Sequence, residues 1–323
     1  MRLKKVMATG LVAALALSTM VGCSSKKDSS DQKKIGVVQL VEHDALDASY
    51  KGFKDGLEKA GYKDGDKIKI EYKNAQNEQS NCQTIAKQFV TDKCDLVLAI
   101  ATPAAQAMAN ESKDIPILVT AVTDPADAKL VKSNKKPGTN VSGTSDLTPV
   151  AKQMNLLKEL IPNAKKVAML YCSAEANSLY QIQLFEAALD KDGIAYKEYA
   201  IADTNEVQSV TTAAAGECDV LYIPTDNTLA SVTETVYNVV APAKVPVIAG
   251  EEGICNGCGV ATLSISYYDL GYATGEMAYE ILAEGADITT MDVRYAPNVT
   301  KKYNAKICEE LGITVPDDYV AIQ

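Results

Sequence analysis

The fold is decided by two similar stretches, Lys33-Lys34-Ile35-Gly36-Val37-Val38 and Lys165-Lys166-Val167-Ala168-Met169-Leu170. Each is a short apolar run behind two lysines, a pattern typical of a buried strand that opens an α/β unit. Further pairs of segments correspond in the same order: 59–61 with 191–193, 93–100 with 217–223, and 115–118 with 245–248. We interpret the two halves as copies of one duplicated unit. The alternative is the general similarity that βα units share.

Outward from these stretches, short apolar runs alternate with amphipathic segments, which is the pattern of helices packed around a parallel sheet. The predicted strands are 35–41, 68–72, 96–101, 117–121 and 141–144 in the first half, and 167–171, 195–200, 220–224, 247–249 and 260–265 in the second. The sequence therefore predicts an α/β fold of two similar doubly wound parallel-sheet lobes joined by a hinge. We expect the N-terminal lobe to comprise 35–146 plus about 269–323, and the C-terminal lobe 147–268.

The first residues have the layout of an export signal. A basic start is followed by an apolar run over 6–17, which is too short to span a bilayer, and then by Gly22-Cys23. Met20-Val21-Gly22-Cys23 resembles the bacterial lipobox, in which the cysteine is acylated; the alternative is an ordinary signal with a chance cysteine. We therefore expect a lipoprotein signal peptide over 1–22, lipidation at Cys23, and a flexible tether over 23–34. The mature protein would then be lipid-anchored on the outer face of the cell membrane, or on the periplasmic side of a membrane.

Composition excludes several function classes. The chain has 323 residues, a net charge of -10, one histidine and no tryptophan. An acidic surface opposes nucleic-acid binding. A single histidine, His43, excludes most histidine-based catalysis and multi-histidine metal sites. We expect no enzyme activity, no cofactor and no metal, although an extracytoplasmic enzyme stays a third alternative.

In two parallel α/β lobes, ligands bind outside the carboxyl ends of the strands, so a shared cleft is expected there. Thr102 and Pro103 follow a predicted strand as the N-cap and first residue of a helix, whose first turn, which includes Ala104, leaves free backbone N–H groups that can hold a carboxylate. A purely structural cap is the alternative. Asp226 and Glu251 are the best-placed acids for a ligand ammonium.

Other candidates follow strands in the same way. Asp124 is a possible first-lobe acid, or a turn residue that bonds its own backbone. Glu42 and His43 could contact ligand or be solvated. Ser145 and Asn177 can supply neutral hydrogen bonds or fill solvent-facing turns.

Several segments together are similar to one family. They are 39–47 with 52–57, 100–106, 122–125, 137–143, 222–227 and 261–271. The chain resembles the ABC-transporter substrate-binding lipoproteins of the tryptophan/tyrosine type, which have the type I periplasmic-binding-protein fold. Asp44, where the family pattern has proline, and the cysteine-bearing loop 251–258 depart from it.

The resemblance implies a monomer that carries a small amino-acid-like ligand, with an aromatic amino acid favoured, to an ABC permease with a cytoplasmic ATPase. Its segments add Thr123 and Asn227 to the candidate ligand-binding residues, and an aromatic ligand would need a ring partner such as Tyr268. A sensory receptor for a chemotaxis or kinase partner, or a binder of a sugar or nucleoside, are the alternatives.

The cysteines beyond Cys23 carry separate expectations. Cys94 and Cys218 each begin a predicted strand and are expected to be buried apolar residues. Cys255-Asn256-Gly257-Cys258 has the spacing of a dithiol, but Asn-Gly predicts a hairpin turn, closed by a disulfide or flanked by free thiols.

Overall fold

A computed structural model describes residues Gln32–Ile322, and the predicted signal peptide and Cys23 lie outside them. Two sheets organise this part of the chain. The first sheet consists of β1 (Lys33–Gln39), β2 (Ile68–Asn74), β3 (Leu96–Ile100), β4 (Ile117–Val122), β5 (Val141–Ser145) and β11 (Arg294–Tyr295), in the order β11-β5-β4-β3-β1-β2. The second consists of β6 (Lys166–Cys172), β7 (Ala195–Ile201), β8 (Val220–Ile223), β9 (Val247–Ala249), β10 (Ala261–Ser264), β12 (Thr300–Tyr303) and β13 (Val320–Ala321), in the order β13-β12-β10-β9-β8-β6-β7.

Helices cover both sheets. The first lobe has α1 (Asp44–Lys59), α2 (Gln79–Thr91), α3 (Thr102–Glu111) and α10 (Tyr267–Glu284). The second has α4 (Val150–Leu160), α5 (Ala176–Asp192), α6 (Val207–Glu217), α7 (Asn227–Ala230), α8 (Thr233–Ala243), α9 (Glu252–Cys258) and α11 (Ala305–Leu311). The strands pair in parallel except that β12 runs antiparallel to β10. The prediction of two similar parallel α/β lobes is confirmed.

Each lobe has its own apolar core because the central strands are buried on both faces. Phe53 of α1 and Phe89 of α2 are fully buried in the first lobe. In the second, the rings of Phe185 and Tyr222 stack with their centroids 3.7 Å apart.

Helix α10 follows β10 of the second sheet but packs against α1 of the first lobe. The contact is made by glycines: a Cβ at Gly52 would collide with the carbonyl of Tyr268, and one at Gly271 with the carbonyl of Ser49. Only residues without a side chain allow the two helix backbones to approach this closely. This packing fixes the hinge end of α10 to the first lobe.

The C-terminal segment differs from the expectation. β11 pairs with β5 in the first sheet, but β12 pairs with β10 and β13 with β12 in the second. The assignment of the whole of 269–323 to the N-terminal lobe is therefore wrong beyond β11, because the chain crosses between the lobes once more at 296–299. Crossings at 146–149 and 265–266 precede it.

Two further points concern the start of the chain and its helices. Lys33 and Lys34 belong to β1, so the predicted tether over 23–34 extends two residues too far. Among Gln32–Ile322, no helix is long and apolar enough to cross a membrane.

Candidate functional site

The two lobes meet along a seam formed by residues that follow strands. His43 Nε2 lies 3.3 Å from Asn227 Oδ1, and Asn77 Nδ2 donates to Thr228 Oγ1 at 3.1 Å. On the other side of the seam, where α3 and α5 are in contact, Gln181 Nε2 approaches Thr123 Oγ1 to 3.4 Å. These contacts hold the lobes in a closed arrangement.

A buried carboxylate, Glu175, organises the second-lobe side of the seam. It lies at the N-cap position of α5 and is 2% exposed. Its two oxygens accept hydrogen bonds from Asn177 Nδ2 at 3.0 Å, from the backbone N–H and Nδ2 of Asn227 at 3.1 and 2.6 Å, and from the backbone N–H and hydroxyl of Thr228, both at 2.8 Å. Glu175 was not among the residues predicted from the sequence. The available signal was an acid directly before a predicted helix, three residues after a strand.

Asp226 lies beside this cluster and is also buried. Its carboxylate accepts from Cys172 N at 2.6 Å, Ser178 Oγ at 2.7 Å and Leu229 N at 2.9 Å, the last as the N-cap of α7. Burial, and next the charge of Glu175, raise the pKa of Asp226 to about 8. Since these donors all come from the second lobe, Asp226 serves the structure of that lobe.

Within Gln32–Ile322, two buried polar atoms near strand ends, one in each lobe, lack a partner. They are Thr102 Oγ1 in the first turn of α3 and Asn177 Oδ1 in the first turn of α5, on side chains 1% and 5% exposed. Buried polar atoms without a hydrogen bond are rare in proteins and call for an explanation. A ligand between the lobes would supply the missing donor and acceptor.

The start of α3 differs from the predicted cap. Ala101, not Thr102, is the N-cap, and it adopts φ 80°, a conformation that residues with a Cβ rarely take. Thr102 is the first helical residue and Ala104 is buried two positions further on. Because backbone strain of this kind is maintained chiefly at functional sites, it agrees with a binding role for this turn.

Two more carboxyl groups are buried, Asp146 in the first crossing and Glu251 in the second lobe. Asp146 Oδ2 accepts from Tyr267 OH at 2.9 Å, whereas Oδ1 has no partner, and burial raises the pKa of Asp146 to about 6. Glu251, the N-cap of α9, accepts from the backbone N–H groups of Gly253 and Ile254. Burial raises the pKa of Glu251 to about 7.

Two cavities open along the seam. One of about 500 Å³ lies at its hinge end; its lining includes Glu251, Tyr267 and Tyr268. The other, of about 260 Å³, is lined by the exposed Glu42, by His43 and by residues of α9 and the segment after α7. The predicted residues Glu251 and Tyr268 therefore lie at one cavity, and Glu42 and His43 at the other.

Other predicted residues have their polar groups engaged. Asp124 Oδ1 accepts from the backbone N–H groups of Ala126 and Asp127, which is the turn geometry offered as its alternative. Ser145 donates to the carbonyl of Thr123 at 2.6 Å. The hydroxyl of Tyr268 donates to Asp55 at 2.9 Å, on the side of α1.

The cysteine-bearing loop is a helix, so the predicted hairpin turn at Asn256-Gly257 is wrong. Glu251 caps α9, which places Cys255 and Cys258 one turn apart, both buried and free. Burial holds the pKa of both thiols well above the usual range. Cys94 and Cys218 are buried as expected. No cluster of metal-ligating side chains occurs within the described part of the chain.

Two α/β lobes linked by crossing segments, with buried unpartnered polar atoms at a closed seam, define a bilobal solute-binding protein. The chain belongs to the ABC transporter substrate binding protein family, whose family model matches residues 34–322. It is therefore a substrate-binding component of a transporter, in a family of extracytoplasmic solute-binding proteins, and not an enzyme.

Relatives with known names or structures agree with this membership. The chain is 44% identical over 305 residues to a tyrosine-binding protein of Clostridioides difficile, which covers 90% of this chain and 88% of that protein. It is 42% identical to the ABC domain in complex with L-Trp from Streptococcus pneumoniae, with a TM-score of 0.85 over 88% of this chain and 96% of that one.

A third relative differs in conformation. The ligand-free, open structure of a substrate-binding protein with adhesive properties from Clostridium difficile is 45% identical, yet its TM-score is 0.69 over 90% of this chain and 100% of that one. At similar identity, the better superposition on the ligand-bound structure agrees with the closed seam described above.

Proposed function

We propose that the protein captures an aromatic amino acid, L-tyrosine or L-tryptophan, between its lobes and delivers it to an ABC permease. The observation that carries this proposal is the pair of buried, unpartnered atoms Thr102 Oγ1 and Asn177 Oδ1, one from each lobe. A free amino acid offers both a carboxylate and an ammonium, which match a donor and an acceptor on opposite walls. The names of the relatives support the aromatic class.

The carboxylate would bind at the first turn of α3. Its hydroxyl and free backbone N–H groups favour an anion without a cationic side chain. Arg294 does not compete for this role, because it pairs with both oxygens of Glu280 at 2.7 and 2.9 Å.

The ammonium would bind the opposite wall, where Asn177 Oδ1 and the free oxygen of Asp146 can accept. Asp226 and Glu251 support that wall through the backbone groups that they cap. For the ligand ring we favour Tyr267, which is buried and whose hydroxyl donates to Asp146, over Tyr268, whose hydroxyl donates to Asp55 on the side of α1.

Titration calorimetry on the protein from Lys33 onward, across the amino acids, tests the proposal. We expect saturable binding of L-tyrosine or L-tryptophan, and loss of binding for tyramine, which lacks the carboxylate, and for 3-(4-hydroxyphenyl)propionate, which lacks the ammonium. The proposal would be overturned if these two analogues bound as tightly as the amino acid, or if no amino acid bound.

We also propose that the protein acts as a monomer anchored by acyl chains on Cys23. The lipobox-like sequence before Cys23 and the polar segment after it support an anchor. In cells, a Cys23→Ser variant should lose incorporated fatty acid and move from the membrane fraction to the medium or periplasm. Retention with the label unchanged would contradict the anchor, and light scattering on the purified protein measures the oligomeric state.

A further inference from the structure

We propose that Glu175 is the positioning residue for lobe closure: it orients the second-lobe side chains that bind the first lobe, and it orients Asn177 toward the ligand. The part that concerns the ligand rests on the proposed function, whereas the part that concerns lobe closure does not. Among the residues that the structure describes, Glu175 makes no hydrogen bond to the first lobe, so its effect is exerted through its neighbours.

The first of these neighbours is Asn227. Its Nδ2 donates to Glu175 at 2.6 Å, which leaves Oδ1 directed at His43 Nε2, 3.3 Å away. An amide oxygen can only accept, so His43 Nε2 must carry the proton. Glu175 thus fixes both the orientation of the Asn227 amide and the tautomer of the only histidine in the chain.

The second neighbour is Thr228, whose hydroxyl has a single proton. It donates that proton to Glu175 at 2.8 Å, and its oxygen is then free to accept from Asn77 Nδ2 at 3.1 Å. Both of these seam contacts therefore have the same polarity, with the first lobe donating and the second accepting. That polarity follows from one carboxylate.

The third neighbour is Asn177. Its Nδ2 donates to Glu175 at 3.0 Å and to the carbonyl of Thr225 at 3.0 Å, so the unpartnered atom that remains is the oxygen. The second-lobe wall is thereby an acceptor, which selects a ligand that donates. A glutamine at 175 could not do this, because its NH₂ group would face donors and leave some of them unpaired in a buried site.

The test combines a lobe-distance measurement with a double-mutant cycle. Spin labels at Glu111→Cys and Lys191→Cys, both exposed and one in each lobe, report the separation of the lobes. Distances are recorded without ligand and with L-tyrosine or L-tryptophan. The variants are Glu175→Gln, Asn77→Ala and the pair together, with Glu310→Gln as the matched control, since Glu310 accepts from Tyr237 OH on the exposed surface of the second lobe.

We expect Glu175→Gln to reduce the population at the closed distance and to weaken amino-acid binding at least tenfold, while Glu310→Gln changes neither. In the Asn77→Ala background, the effect of Glu175→Gln on the closed population should be smaller, because part of its route across the seam has been removed. Glu175→Asp, which keeps the charge, should recover part of the closure.

The proposal is overturned if Glu175→Gln leaves the distances unchanged, or if its effect is the same with and without Asn77. A purely structural role of Glu175 would lower the melting temperature without this coupling. If wild-type protein binds neither amino acid, the proposed function fails, whereas the ligand-free distances still decide whether Glu175 controls closure.

Discussion

His43 Nε2 of the first lobe lies 3.3 Å from Asn227 Oδ1 of the second, and the imidazole that makes this contact is the donor. The contact exists only while the lobes are closed around it. The protonation state of His43 is therefore linked to closure.

We predict that ligand affinity falls below about pH 6.5. Burial lowers the pKa of His43 in the closed protein, although the hydrogen bond to Asn227 and the charges of Glu175, Asp47 and Asp44 oppose the shift. In the open protein the pKa should return toward 6.5. A depressed pKa means that closure is fully favoured above the open-state value and weakens as pH falls through it.

Binding isotherms of L-tyrosine or L-tryptophan between pH 5.5 and 8 measure this effect. The carboxylate of the ligand stays ionised throughout that range, and its ammonium stays protonated up to about pH 7. A His43→Gln variant keeps a donor but cannot titrate, so its affinity should change less over the same range. An equal slope in both proteins would assign the effect to other groups, such as Asp146 or Glu251.

The free energy of unfolding should decrease between pH 5 and pH 8. Burial raises the pKa of Asp146 to about 6, of Glu251 to about 7 and of Asp226 to about 8. A carboxyl with a raised folded-state pKa binds a proton that the unfolded chain has lost, so its contribution disappears as pH rises through the folded value.

Urea unfolding at several pH values tests this prediction. Asp226→Asn should lower the overall stability, because an amide cannot accept all three donors, and should flatten the slope with pH. Asp219→Asn is the control, since Asp219 is exposed and accepts only from the backbone of Lys165 and Lys166. If Asp226→Asn left the pH dependence of the free energy of unfolding unchanged, Asp226 would not be one of the groups responsible for it.

Thr102→Val should separate binding from stability. Removing the unpartnered hydroxyl relieves a buried polar atom, so the ligand-free protein should be as stable or slightly more stable. Affinity should fall about 10-fold to 100-fold, which is the effect of one hydrogen bond to a charged group.

Thr211→Val provides the matched comparison, because Thr211 Oγ1 is likewise buried and unpartnered but lies in α6 of the second lobe. Calorimetry and thermal unfolding on both variants should show affinity lost only for Thr102. Equal affinities of the two variants would remove Thr102 from the site.

Gly271→Ala should destabilise the first lobe by about 1–3 kcal/mol, because the new methyl group would push α10 away from the backbone of α1 at Ser49. Gly216→Ala is the control, since Gly216 lies in α6 with open space around it and should gain up to about 1 kcal/mol of helix stability. Thermal unfolding of both variants measures the difference. A Gly271→Ala protein as stable as wild type would contradict the packing argument.

The sequence was sufficient for the architecture because paired apolar runs specify parallel strands, and strand ends specify where a cleft lies. It was less informative where the structure depends on which of several partners a side chain or strand contacts. Residues 252–258 form a helix that Glu251 caps, although Asn256-Gly257 favours a hairpin. The pairing of β12 with β10 joins segments that are far apart in the sequence, so the local pattern did not predict it. Glu175 was missed because its importance depends on donors from α7, 52 and 53 residues away in the chain.

The three crossings at 146–149, 265–266 and 296–299 have a mechanical consequence. A single connection would let the lobes rotate in any direction, whereas three connections oppose twisting and favour bending about one axis. We therefore expect the lobes to open by bending about a single hinge axis. A single dye pair placed across the seam should therefore report occupancy as a two-level optical signal, which makes this scaffold suited to a reagentless amino-acid sensor.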